Sequence, residues 1–202
     1  MTSLCYTNSE ISAIESLTRK QSENKNWFHY RKCAVTSSKI HNIYTRVKSG
    51  KTLLDNGNND WLIEDIMDNS KFKGNINTAY GLIHEKDAAS DYLKEKQKTH
   101  IGCNLIEKGL IFSNEGWFAT SVDRIFSCFC CMDKIIVEIK CPKNIENKQT
   151  SDFINSINYL KPDENGQALL IPSHTYYTQI QSQMAITKIH KADFVVGPVM
   201  EL

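Results

Sequence analysis

Charge of one sign is not in excess in this 202-residue chain: 24 lysines and arginines face 23 aspartates and glutamates, a formal net charge of +1. That balance excludes a surface coated throughout in basic residues. It leaves room for nucleic acid, because an acidic metal site and a local basic rim cancel in the sum. No apolar run approaches the ~20 residues that cross a bilayer as a helix, so no membrane association is expected. The first residues, Met1-Thr2-Ser3-Leu4-Cys5-Tyr6, lack the basic and apolar regions of a secretory signal. The seven cysteines, at 5, 33, 103, 128, 130, 131 and 141, are odd in number and form no regular disulfide framework. An intracellular, reducing compartment is expected, with nucleus and cytoplasm both open. Cys128, Cys130 and Cys131 are spaced C-x-C-C, without the paired C-x-x-C of structural zinc sites, and no cysteine lies beyond Cys141. Neither zinc nor an iron–sulfur cluster is therefore expected.

What is present is ordinary for one globular core: 41% hydrophobic and 23% charged residues. A single domain over residues 1–202 is expected. Asn8 or Ser9 can cap a first helix carrying Ile11, Ile14 and Leu17 to about Ser22. An aromatic cluster, Trp27-Phe28-His29-Tyr30, precedes Arg31, and Thr36-Ser37-Ser38 would cap a second helix bearing Ile40, Ile43, Tyr44 and Val47. Hydroxyls and free N–H groups at a helix start can seat a phosphate that Arg31 closes, although Ser and Thr also cap helices where no ligand binds. Residues 49–60 and the stretch through Lys73-Gly74-Asn75 read as loops, on either side of a short amphipathic helix with Trp61, Leu62, Ile63, Ile66 and Met67.

A longer helix runs from about Thr78 to Gln97, with a stripe of Glu85, Ala88, Ala89, Tyr92 and Leu93. Glu85 shares that face with small and apolar residues, so it either points inward, where a carboxylate needs a partner, or lies at a solvated boundary. The period then becomes alternating. Residues 100–106 and 110–112 read as a hairpin turning at Lys108-Gly109. Two further strand-forming runs follow, Gly116 to Asp123 and Ile135 to Pro142, joined by a connection over residues 124–134. A last helix from about His174 to Lys188, capped by Ser173, turns Tyr177, Ile180, Met184 and Ile189 to the core, with Gln179 and Gln183 on an adjacent face. Ala192 to Val196 forms a final strand ended by Gly197-Pro198.

The chemistry concentrates in Asp123 and Glu138-Ile139-Lys140. Alternation puts Glu138 and Lys140 on one face of their strand and Ile139 on the other. A charged pair after three apolar β-formers needs compensation. Either the strands carry a surface salt bridge, or Asp123, Glu138 and the Ile139 carbonyl hold Mg²⁺ or Mn²⁺ and Lys140 orients an attacking water.

Five pieces recur together in order: Trp27 with Arg31 and Thr36-Ser37-Ser38; Gly81-Leu82-Ile83-His84-Glu85; Ser121-Val122-Asp123; Glu138-Ile139-Lys140-Cys141-Pro142; and Tyr176-Tyr177-Thr178-Gln179-Ile180-Gln181. The chain thereby resembles the lambda-exonuclease-like, YqaJ-type viral recombinase branch of the PD-(D/E)XK nucleases, over about residues 27–196. The resemblance implies an α/β fold with a central mixed β-sheet flanked by helices, the restriction-endonuclease-like core. It implies a 5′-to-3′ exonuclease on linear duplex DNA that uses Mg²⁺, with Mn²⁺ as a substitute. Asp123, Glu138 and the Ile139 carbonyl would hold the metal, Glu85 would assist directly or through water, Lys140 would position the nucleophile and Gln179 would lie beside the scissile phosphate. Arg31 and Ser38, with Thr36 and Ser37, would bind the 5′-phosphate of the DNA end, and a ring-shaped homo-oligomer, a trimer, would surround the duplex. Val122 stands where the motif name has proline, the Asp123 to Glu138 spacer is long, and the chain ends soon after the Gln179 helix. An endonuclease on the same fold and a non-catalytic DNA-binding module remain the alternative readings.

Overall fold

The computed structural model describes residues 5–32, 34–50, 59–67, 76–143, 154 and 156–197. Residues 51–58 of the expected loop at 49–60, the loop at 73–75 and Pro198 lie outside the described residues. Two compact units form from interleaved segments. The first comprises Met1–Phe72, Glu107–Val122 and Thr178–His190, the second Lys73–Ile106, Asp123–Tyr177 and Lys191–Leu202. Among the described residues no helix is long and apolar enough to cross a membrane.

In the first unit helix α1 spans Asn8–Leu17. Its cap is Thr7 rather than the expected Asn8 or Ser9. The Thr7 hydroxyl accepts from the Glu10 N–H while Glu10 reaches back to the Thr7 N–H, a reciprocal capping box. After a short 3₁₀ turn at Gln21–Glu23, α2 occupies Lys25–Arg31, strand β1 Val35–Thr36, α3 Ile40–Lys48 and α4 Asp60–Met67. Strands β3, Ile111–Phe112, and β4, Phe118–Thr120, complete a three-stranded sheet in the order β1-β4-β3. β1 runs parallel to β4, and β3 antiparallel to it. Its core is Ile14, Ala34, Leu110, Phe112 and Ala119, with Tyr6, Ile11, Trp27 and Tyr30 packed against it.

The expected hairpin around Lys108-Gly109 does not form. β2, Asn104–Glu107, belongs to the other sheet, while β3 pairs with β4. Between them the backbone is claimed by α1 and the residue after it: the Gly109 N–H donates to Glu15 Oε1 at 3.0 Å and the Leu110 N–H to Thr18 Oγ1 at 2.7 Å. Only glycine fits at 109, since a Cβ there would fall 2.1 Å from the Glu15 carbonyl oxygen. Thr18 is fully buried and donates in turn to the Ile14 carbonyl at 2.6 Å. Thr18→Val keeps the shape and strips the acceptor from a buried N–H, so urea unfolding is expected to report a loss of about 1–3 kcal/mol.

In the second unit helix α5, Ile76–Gln97, lies against a four-stranded sheet of order β2-β5-β6-β9. β5 is Arg124–Ser127, β6 Lys134–Lys140 and β9 Ala192–Val196. β6 is central, antiparallel to β5 and parallel to β9. Its run Ile135-Ile136-Val137 suits a strand covered on both faces. Residues 124–134 are thus not a plain connection: β5 and the start of β6 pair from Arg124↔Val137 to Ser127↔Lys134, leaving 128–133 as the turn. Ala88 and Ala89 of α5 pack on Phe126, Cys128, Val137, Ile139 and Cys141, with Tyr92 and Leu93 beside them. The small residues let helix and sheet approach closely. β7, Leu160–Pro162, and β8, Ala168–Leu170, form a separate hairpin around Asp163, whose carboxylate accepts from the Asn165 and Gln167 N–H groups. Helix α6, Thr175–Thr187, precedes β9.

Candidate active site

Asp123 stands at the last position before β5, and Glu138 and Lys140 two positions apart on β6. The antiparallel register brings them together: Arg124 faces Val137, so Asp123 reaches the edge of β6 at Glu138 and Ile139. Asp123 Oδ2 accepts the Ile139 N–H at 2.7 Å. In a strand the N–H and C=O of one residue leave on the same edge, so the Ile139 carbonyl is aimed to the Asp123 side. Glu138 is 1% exposed and pairs with the Lys140 ammonium. Lys140 also lies over the Tyr176 ring, 5.0 Å from its centroid. The sequence reading of this pair holds: Glu138 and Lys140 share a face, and Ile139 turns into the core against α5.

Of the two positions the stripe left open for Glu85, the structure shows an intermediate one, with the side chain a quarter exposed. Its partner is Arg124, whose Nη1 lies 3.0 Å from Glu85 Oε1 and 2.6 Å from the Asp123 carbonyl oxygen. Arg124 was not singled out from the sequence. Its signal was alternation, since it shares the α5-facing side of β5 with Phe126. Three carboxylates, of Glu85, Asp123 and Glu138, are therefore gathered around two cations.

The electrostatics record that imbalance. Burial first, then the neighbouring Glu138 charge, raises the Asp123 carboxyl well above the ordinary range, with Glu85 adding to it and Lys140 opposing. Cys141 responds similarly: burial and then the charges of Glu85 and Asp123 push its thiol up to about 11. Burial alone would depress Lys140, but the Glu138 and Asp123 carboxylates outweigh it and hold the ammonium above its usual range. A cluster of buried oxygens short of positive charge is chemically suited to a hard divalent cation.

Gln179 lies half-buried on α6, one turn beyond Tyr176, among the residues of the first unit. Its helical neighbour Gln183 departs from the solvated position usual for glutamine, being fully buried.

The predicted phosphate seat also lies in the first unit. Arg31, at the end of α2, stacks over Trp27 with its guanidinium carbon 4.2 Å from the ring centroid. Its Nη2 is 3.4 Å from both Thr36 Oγ1 and Ser38 Oγ, and these hydroxyls are 3.1 Å apart. Trp27 is held in turn by its Nε1–H, which donates to Ser121 Oγ at 2.7 Å. Ser37 is not brought to this group: it is buried, and its hydroxyl bonds Thr120 at 2.7 Å. The expectation that Thr36-Ser37-Ser38 caps a helix is corrected as well. Thr36 belongs to β1, where pairing with β4 claims the backbone, and α3 begins after Lys39 without a side-chain cap. Burial pulls the Arg31 guanidinium down to about 10, so it remains charged at neutral pH, and among the described residues no carboxylate pairs with it.

Among solved structures, the crystal structure of LHK-Exo in complex with dAMP is similar, with a TM-score of 0.56 and 22% identity, covering 87% of this chain and 75% of that one. A SOX–DNA complex is similar at a TM-score of 0.52 and 15% identity, covering 92% of this chain and 57% of that one. The chain thus spans little more than half the length of the SOX chain. At such identities the likeness shows the fold, a mixed α/β architecture of the exonuclease-like kind. No curated protein sequence matches. A family described as the YqaJ-like viral recombinase domain matches residues 26–190, most of the chain and every element of both clusters, and the chain belongs to that family.

Proposed function

We propose that this protein is a divalent-metal-dependent deoxyribonuclease that degrades linear duplex DNA from a 5′-phosphorylated end. Membership of the viral recombinase family and an exonuclease-like fold support the nuclease role. The observation that carries the finer reading is the buried acid cluster: Asp123 and Glu138 side by side beside Lys140, with Asp123 raised well above its ordinary range by burial and then by the Glu138 charge.

Asp123 and Glu138, with the Ile139 carbonyl, are the groups that would hold Mg²⁺, with Mn²⁺ as a substitute, and Glu85 would reach it directly or through water. When bound, such an ion neutralises the scissile phosphate and makes water a better nucleophile at neutral pH. In the metal-free chain its carboxylate neighbours keep Lys140 as an ammonium. It acts as a donor and positive charge that orients the attacking water and faces the negative charge growing on the phosphate. Arg124 holds the Glu85 carboxylate toward Asp123, and Gln179 would contact the phosphodiester backbone. A ring-shaped homo-oligomer around the duplex belongs to the same proposal.

Arg31, Thr36 and Ser38 would take the terminal 5′-phosphate, because a stacked, half-buried arginine with no carboxylate partner among the described residues suits an anion. Arg31→Ala is expected to lower the preference for 5′-phosphorylated over 5′-hydroxyl ends by about 10- to 100-fold, the worth of one hydrogen bond to a charged group. Equal loss on both ends would make Arg31 structural. The experiment for the function as a whole is digestion of linear and covalently closed duplex DNA with Mg²⁺. Loss of the linear form alone supports the exonuclease, and cutting of the circle would replace it with an endonuclease.

A further inference from the structure

At the far end of β5 and β6 from Asp123 and Glu138, the hairpin turn carries Cys128, Cys130 and Cys131, and the segment after α5 carries His100. These four residues present their ligand atoms within 4.8 Å of one another. From His100 Nδ1 the sulfurs of Cys130, Cys131 and Cys128 stand at 3.3, 3.4 and 3.6 Å. Cys130 Sγ is 3.4 Å from Cys128 Sγ and 3.8 Å from Cys131 Sγ. Zinc bonded to sulfur at about 2.3 Å and to nitrogen at about 2.0–2.1 Å makes a tetrahedron with edges of roughly 3.8 Å between sulfurs and roughly 3.5 Å between sulfur and nitrogen. The five measured edges match that figure to within a few tenths of an ångström.

Thiol hydrogen bonding does not account for the arrangement. A neutral imidazole with its proton on Nε2 has one acceptor lone pair at Nδ1, so only one of the three thiols can donate to it. Disulfide chemistry does not account for it either, since the sulfurs stand far beyond bonding distance and the cysteines are free. A cation at the centre would satisfy all four groups at once.

We infer that His100, Cys128, Cys130 and Cys131 bind one Zn²⁺ in a closed Cys₃His site that is structural and separate from the catalytic centre. All four tetrahedral positions are filled by protein, which leaves none for substrate or water. Softness of the thiolates selects Zn²⁺ against Mg²⁺, the reverse of the all-oxygen cluster at the other end of the strands. The metal joins the connection leaving α5 to the β5–β6 turn. Those two segments already touch: the Phe129 N–H donates to the Ile101 carbonyl at 2.9 Å, and the Phe129 ring lies over Gly102, filling the space a Cβ there would need. His100 also packs against Phe126, 5.8 Å between ring centres. The clip thereby braces the helix that carries Glu85 against the hairpin that carries Asp123 and Glu138.

The expectation of no zinc rested on C-x-C-C spacing. That spacing takes no account of His100, which precedes Cys128 by 28 residues and reaches it only through the return of the chain along β5.

The test is the metal content of full-length protein purified under reducing, chelator-free conditions, followed by exchange of the bound metal for Co²⁺. One zinc per chain is expected, with thiolate-to-cobalt charge transfer and the strong visible bands of tetrahedral Co²⁺ after exchange. Both signals should disappear in the Cys130→Ser/Cys131→Ser variant and persist in Glu138→Ala, which separates this site from the catalytic one. Zinc retained by the double cysteine variant, or wild-type protein giving no cobalt–thiolate band, would overturn the proposal. The cobalt spectrum of wild-type protein decides the matter even where the double variant fails to fold.

Discussion

Lys140→Ala is expected to lower turnover on linear duplex DNA by on the order of 10²–10³-fold, the cost of removing one preorganised charge from a developing anion. Glu138→Ala is expected to abolish cleavage outright, because it deletes a proposed metal ligand. The two variants should differ in stability. Glu138 is buried and pairs with Lys140, while Asp123 presses on the same ammonium. Without Glu138 one carboxylate and one ammonium remain, a balanced pair. Without Lys140 two buried carboxylates face each other, and breaking such a pair from its cationic side typically costs about 3–5 kcal/mol. Urea unfolding should therefore place Lys140→Ala clearly below Glu138→Ala, with far-ultraviolet circular dichroism unchanged for both below their transitions. Wild-type cutting by both variants would remove this cluster from catalysis.

The second large effect concerns Asp123→Asn, in activity and in the pH dependence of stability. The folded chain binds the Asp123 proton more tightly than the unfolded chain, since burial and Glu138 raise its carboxyl. The stability contributed by this group is fully present below the ordinary aspartate range near 3.9. It is lost progressively as pH rises toward the folded value, so at neutral pH metal-free wild-type protein has less stability from this group than in acid. Asparagine keeps an oxygen to accept the Ile139 N–H and carries no charge. In chelator, Asp123→Asn is expected to melt above wild type at neutral pH, with the gap closing as the solution is acidified, and to show no cleavage. Mg²⁺ at about a hundred times its dissociation constant should stabilise wild type by about 2.7 kcal/mol and the variant by far less. Equal stabilisation of both by Mg²⁺ would place the cation elsewhere.

How much could be read in advance differs from residue to residue for physical reasons. Glu85 was legible only as a choice between an inward and a boundary position, and the structure leaves it a quarter exposed and paired with Arg124. Glu138 and Lys140 were legible because strand alternation is strict. Arg124 was not, since pairing it with Glu85 requires α5 to lie over β5. The Thr36-Ser37-Ser38 cap misled because a hydroxyl triplet suits a helix start and a sheet edge equally. Its outcome was settled by β4, which drew Thr36 into pairing and turned Ser37 toward Thr120. The hairpin at Lys108-Gly109 failed for a similar reason: two strands with a good turn between them need not pair when Glu15 and Thr18 take the turn's N–H groups.

By itself the sequence determined the periods, and with them the principal helices, the β6 strand and the shared face of Glu138 and Lys140, because those follow from local geometry of the backbone. Only the tertiary structure decided which strands pair, which cation answers which acid, and that His100 meets Cys128, Cys130 and Cys131. Contacts between residues distant in sequence depend on where packing returns the chain, and no local period encodes that.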